Sequence, residues 1–164
     1  MGGLAHVLEA DRRYWVHAGF VGLALASSAI VFWAYWSYHS ATWDLLRFVT
    51  ALVQLGTVYF LATTLVPENA REVESWRDYY ESVRVRYFSG LIVCGLMTAL
   101  VVTLMVAMPV VHPARLTHAW LVIVGVIGVS TPNPRVHAGL AISGLRAFPI
   151  VAATVFLRAG SLAG

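Results

Sequence analysis

The sequence predicts an all-α integral membrane protein, a bundle of about five transmembrane helices whose third helix extends into the cytoplasm as a long amphipathic helix. Three observations carry that expectation. Hydrophobic residues make up 59% of the 164-residue chain and charged residues 12%, outside the balance of soluble domains. The apolar residues fall in runs of about twenty, the length that crosses a bilayer, separated by short polar segments. One stretch, between Pro67 and Pro109, passes from charged and aromatic to continuously apolar with no internal proline. Residues 1–164 therefore read as a single polytopic domain.

Met1 to Trp15 is a polar start with Glu9, Asp11, Arg12 and Arg13. Arg12-Arg13 before an apolar run has the look of a signal peptide, but that run continues through Phe32 and Trp33 to Trp36, too long for a cleaved segment. His6 stands where N-myristoylation needs Ser or Thr. The first span, 16–36, closes in an aromatic collar of Phe32, Trp33, Tyr35, Trp36 and Tyr38, suited to headgroup level. Ala18, Gly22 and Ala26 recur every fourth residue, a face of small side chains that lets another helix approach. The second span, 45–66, has Asp44 and Arg47 at its wet end and Gln54 near its middle, with Thr50 and Thr57 a turn away. An amide in lipid needs a partner on another helix, either as structural contact or as part of a permeation path.

The third element opens with an extramembrane helical segment, 68–87, and continues as the span 88–108. Val73, Trp76, Tyr80, Val83 and Tyr87 share one face at helical spacing, with charges opposite. A single helix from Asn69 to Ala107 would be about 58 Å long, far more than a bilayer needs. Trp76, Tyr79, Tyr80, Arg84 and Arg86 are expected to form a cytoplasmic docking or headgroup surface. The fourth span, 114–130, is short, and Gly125 and Gly128 predict a close helix contact. Thr131-Pro132-Asn133-Pro134 is a turn. The fifth span, 136–158, contains Arg146, placed close to mid-membrane and a candidate functional residue by its cost there. It has three readings: reaching a lipid phosphate, pairing with Gln54 or a carbonyl freed by Pro149, or lining a polar path or anionic-ligand site.

The eleven basic residues are all Arg, so no mechanism can use a lysine amine. A net charge of +3 is ordinary for a membrane protein and gives no reason to expect nucleic acid as a partner. With the N-terminus inside, the cytoplasmic side holds Arg12, Arg13, Arg71, Arg77, Arg84, Arg86 and Arg135, against Arg47, Arg115 and Arg158 outside. That bias predicts a cytoplasmic N-terminus and an outside C-terminus. Cys94 is alone and has no disulfide partner, and no metal-ligand spacing is present. His17, His118 and His137 fall at span ends with no two at ligand spacing on one helix, so they read as interfacial and no cofactor is expected. Nucleophile elbow, phosphate loop and paired intramembrane carboxylates are all missing from the sequence, and no enzyme is expected.

Tyr14-Trp15-Val16-His17, Phe32-Trp33-Ala34-Tyr35-Trp36, Trp43-Asp44 with its run to Val66-Pro67, Asp78-Tyr79-Tyr80 with Arg84, Arg86, Tyr87 and Phe88, and Pro134-Arg135-Val136-His137 follow one another along most of the chain. In this it resembles an uncharacterised family of small bacterial multi-spanning inner-membrane proteins with about five or six helices. The resemblance implies a bacterial inner-membrane location and no activity, and it departs at the N-terminus, where such proteins carry one more span. The function expected is that of a non-enzymatic accessory or structural subunit, packing in the lipid bilayer against other membrane subunits or itself. The alternatives are a small oligomeric channel or transporter and, third, a pigment- or haem-binding subunit.

Overall fold

The computed structural model describes residues 14–161, without the side chains of 71 and 154–161. Arg12, Arg13 and His6, on which the N-terminal processing readings turned, lie outside the described residues, as do the side chains of Arg71 and Arg158. Five helices follow in order: α1 (Trp15–Ser37), α2 (Leu45–Leu65), α3 (Trp76–Val106), α4 (Arg115–Ser130) and α5 (Pro134–Ser161). The described residues contain no strand. Four of these helices are long and apolar enough to cross a membrane, with α5 counted over Pro134–Ala153. The exception is α4, whose 16 residues span about 24 Å, less than the ~30 Å hydrocarbon core.

Local chemistry sets the helix boundaries. The Asp44 side chain caps α2 by accepting from the Arg47 backbone N–H at 2.9 Å. Asn133 Oδ1 accepts from the Arg135 N–H at 3.0 Å, and Pro134 takes the first helical position, where its missing N–H costs nothing. The third helix departs from expectation at its start. Pro67 ends α2, Ala70–Glu72 forms only a 3₁₀ turn, and Ser75 caps a helix that begins at Trp76. The capping serine, six residues after the expected Asn69 start, shortens α3 to 31 residues, about 46 Å. It ends at Ala107, in the left-handed region at φ 50°, just before Pro109.

The longest seam joins α3 to α4, and α2 packs on the other side of α3, while α1 joins α2 to α5. Glycines on both helices bring α3 and α4 together. A Cβ at Gly125 would lie 2.5 Å from Ile92 and 3.0 Å from the Phe88 carbonyl, and one at Gly128 would collide with the Phe88 ring. In return Gly95 on α3 sits under Leu121 and Val122 of α4. The seam between α1 and α5 uses Gly144 against Leu23 and Gly19 against Ala141.

Candidate functional site

At one end of the bundle the first turns of α1, α3 and α5 meet the last turns of α2 and α4. The last four residues of any helix leave carbonyls without an intrahelical partner, and lipid offers none. Here side chains from neighbouring helices supply the donors. Nε2 of His17 (α1) donates to the Leu65 carbonyl of α2 at 2.8 Å. The Tyr79 hydroxyl (α3) donates to the Thr64 carbonyl at 2.9 Å. Arg84 (α3) reaches the carbonyls of Gly128, Val129 and Thr131 at 2.7, 3.1 and 2.9 Å, setting a cation against the C-terminal end of α4.

The centre of this end is a buried tyrosine–histidine pair. Tyr80 and His137 are both 0% exposed, and the Tyr80 hydroxyl lies 2.8 Å from His137 Nδ1. Nε2 of the same ring is 2.7 Å from the Thr131 carbonyl. A carbonyl only accepts, so Nε2 carries the ring hydrogen and Nδ1 accepts from Tyr80. The neutral imidazole thus joins α3 to the turn between α4 and α5. Around it stand Tyr14, 5.5 Å from Tyr80, and Phe20, stacked on Tyr80 at 6.0 Å and edge-on to Phe88 at 5.3 Å. His17 stacks on Trp76 at 5.0 Å, and its Nδ1 has no hydrogen-bond partner among the described residues. Burial, with Glu81 nearby adding to it and Arg77 opposing, pushes the Tyr14 phenol above its usual pKa.

The expected docking surface on α3 is therefore divided. Trp76 and Tyr80 are buried core, because Tyr14, His17, Phe20 and His137 cover their face of the helix. Tyr79 is half-buried on the Thr64 carbonyl and Arg84 half-buried on the end of α4. Only Arg86 remains outward, its guanidinium 5.0 Å from the Phe60 ring centroid. An amphipathic segment read alone looks like a projecting helix. The termini of four other helices supply the surface that its apolar face needs.

Gln54 is buried and fully engaged, its Oε1 accepting from the Tyr35 hydroxyl at 2.6 Å and its Nε2 donating to Thr98 Oγ1 at 2.9 Å. It joins α1, α2 and α3, so the expected alternative pairing with Arg146 does not occur. Thr57 bonds its own helix at the Val53 carbonyl, and Arg146 is exposed on α5, which packs mainly on α1 and α4. The three residues that a pore would need along one path are not brought together. Of the small-residue faces, Gly125 and Gly128 lie in the α3–α4 seam, whereas Gly22 is exposed with nothing within 4 Å of a Cβ built there, between half-buried Ala18 and Ala26.

Sequence reasoning read His17 and His137 as interfacial and assigned no contact between helices to Tyr14 or, at the opposite end, to Arg47 and Arg115. Arg47 donates to the Leu104 carbonyl in the last turn of α3 at 3.1 Å, and Arg115 to the carbonyls of Ala99, within the same helix, and Met108, just beyond it, at 2.6 and 2.7 Å. The signal was available for four of them: His17, His137, Arg47 and Arg115 each lie within three residues of a helix start, where antiparallel packing brings them beside carbonyls of another helix or its end. Among the described residues no three His, Cys, Asp or Glu side chains gather as metal ligands. No family model matches the sequence, and neither a curated protein nor a solved structure matches it.

Proposed function

We propose that this protein is a non-enzymatic accessory subunit of a larger membrane complex in a bacterial inner membrane. The observation that carries the reading is the use made of the buried and half-buried polar side chains. Gln54, Arg84, Tyr79, Tyr80, His17 and His137 all bond groups on neighbouring helices, which makes a rigid frame out of short connections. The outward face of α1 around Gly22 is the place for a partner helix, since a missing side chain admits close approach. The Tyr80–His137 end carries Arg77, Arg84, Arg86 and Arg135 and is assigned to the cytoplasm by the excess of arginine, with the C-terminus outside.

A photo-crosslinking residue at Leu25, exposed one turn from Gly22, tests the reading in native membranes. Capture of one distinct membrane polypeptide supports it. Capture of lipid alone, or of a second copy of this chain, contradicts it.

A further inference from the structure

The outward face of α5 carries Arg135, Gly139, Ile142 and Arg146 at steps of four, three and four, so they form one stripe along the helix. All four are exposed. Neither arginine side chain has a hydrogen bond or ion pair with a described residue, whereas Arg47, Arg84 and Arg115 are all engaged. The acidic residues at this end, Glu68, Glu72, Glu74, Asp78 and Glu81, belong to α3 and the connection before it, and none lies on α5.

Depth follows from the helix rise. Arg135 stands in the first turn of α5, at the level of the Tyr80–His137 pair, and Arg146 lies nine residues past His137, about 13 Å deeper. Helical side chains lean toward the N-terminus, so Arg146 inclines back toward Arg135 and the nearer interface. Between the two lies Gly139, where a Cβ would meet nothing within 4 Å. The stripe thus offers two cations, one at headgroup level and one below it, with a notch between them. Ile142 and Ile150 continue the same face as exposed apolar surface.

We propose that this stripe binds one anionic phospholipid of the leaflet at the Tyr80–His137 end. Its phosphate lies between Arg135 and Arg146 over Gly139, and an acyl chain runs down past Ile142. Charge complementarity carries the assignment: an unpaired arginine inside a span requires a counter-ion, and the nearest anion is lipid phosphate at the headgroup level toward which Arg146 reaches; two arginines with no acidic residue on α5 favour a lipid of net negative charge.

The test uses the full chain in nanodiscs of equal phosphatidylglycerol and phosphatidylcholine, released into a native mass spectrometer. The wild type should retain phosphatidylglycerol several-fold above its bulk share. Arg135→Gln with Arg146→Gln should return the ratio to bulk, Gly139→Leu should lower it with both charges kept, and Arg146→Lys should preserve most of it. Arg86→Gln, an exposed arginine at the same end but on α3, should leave it unchanged. Retention at the bulk ratio by the wild type, undiminished enrichment in the double glutamine variant, or an equal loss in Arg86→Gln would overturn the site. So would a polypeptide co-extracted by the wild type and released by Arg146→Gln, which would make the anion a protein carboxylate.

Discussion

Tyr80 donates to His137 across 57 residues of sequence, at 2.8 Å and with neither side chain exposed. The bond is specific because the other face of the imidazole is fixed by the Thr131 carbonyl, which leaves Nδ1 as the acceptor. It locks the start of α3 to the start of α5 at the level where His17 locks α1 to the end of α2.

Tyr80→Phe should therefore destabilise the bundle by about 1–3 kcal/mol, because it leaves a buried acceptor unpaired. A double-mutant cycle with His137→Phe should give a coupling of about 1 kcal/mol, within the range for residues in direct contact. Thermal unfolding of the four proteins in one detergent at one scan rate measures it. Strictly additive losses would mean that the two rings only fill space.

Two glycine substitutions should behave oppositely. Gly128→Ala drives a Cβ into the Phe88 ring, which is fully buried and cannot turn aside, so a loss of about 1–3 kcal/mol or failure to fold is expected. Gly56→Ala meets nothing within 4 Å and should stabilise α2 by up to about 1 kcal/mol through helix propensity. Equal effects on melting temperature would contradict the α3–α4 seam.

Gln54→Leu removes the bonds to Tyr35 and Thr98 at once. Inter-helix hydrogen bonds in membranes are worth about 0.6 kcal/mol on average, so the melting temperature should fall by only a few degrees. Ion leak from liposomes containing the variant should equal that of the wild type. A change in leak would place Gln54 on a permeation path.

Glu74 is exposed just before α3 and marks the end assigned to the cytoplasm. In a Cys94→Ala background, Glu74→Cys should resist a membrane-impermeant thiol reagent in intact cells and react after lysis. Labelling of intact cells would invert the topology.

Much of the architecture was legible in the sequence because it rests on periodicity and length. The four long apolar helices, the turn at Thr131–Pro134 and the glycine contact at Gly125 and Gly128 all follow from local patterns. The start of α3 was misplaced because helical spacing continues upstream of Trp76, while the chain leaves Pro67 through a 3₁₀ turn and restarts at the Ser75 cap. The roles of Trp76, Tyr80 and Arg84 were not legible for a different reason. An aromatic face and an arginine look the same whether they meet headgroups or other helices, and only long-range pairing with His17, His137 and the end of α4 decides between them. Histidines at span ends gave the same ambiguity. Interfacial position is read from sequence, but a donor aimed at an orphan carbonyl is a property of the packed bundle.

The central functional claim is that the protein works as a subunit, and the most direct measurement is gentle extraction from native membranes followed by a native gel and mass spectrometry of each band. The account predicts migration with a defined larger complex at a fixed ratio, reduced when Gly22→Leu fills the open face of α1. Recovery as a free monomer, or as an oligomer of this chain alone, would contradict it.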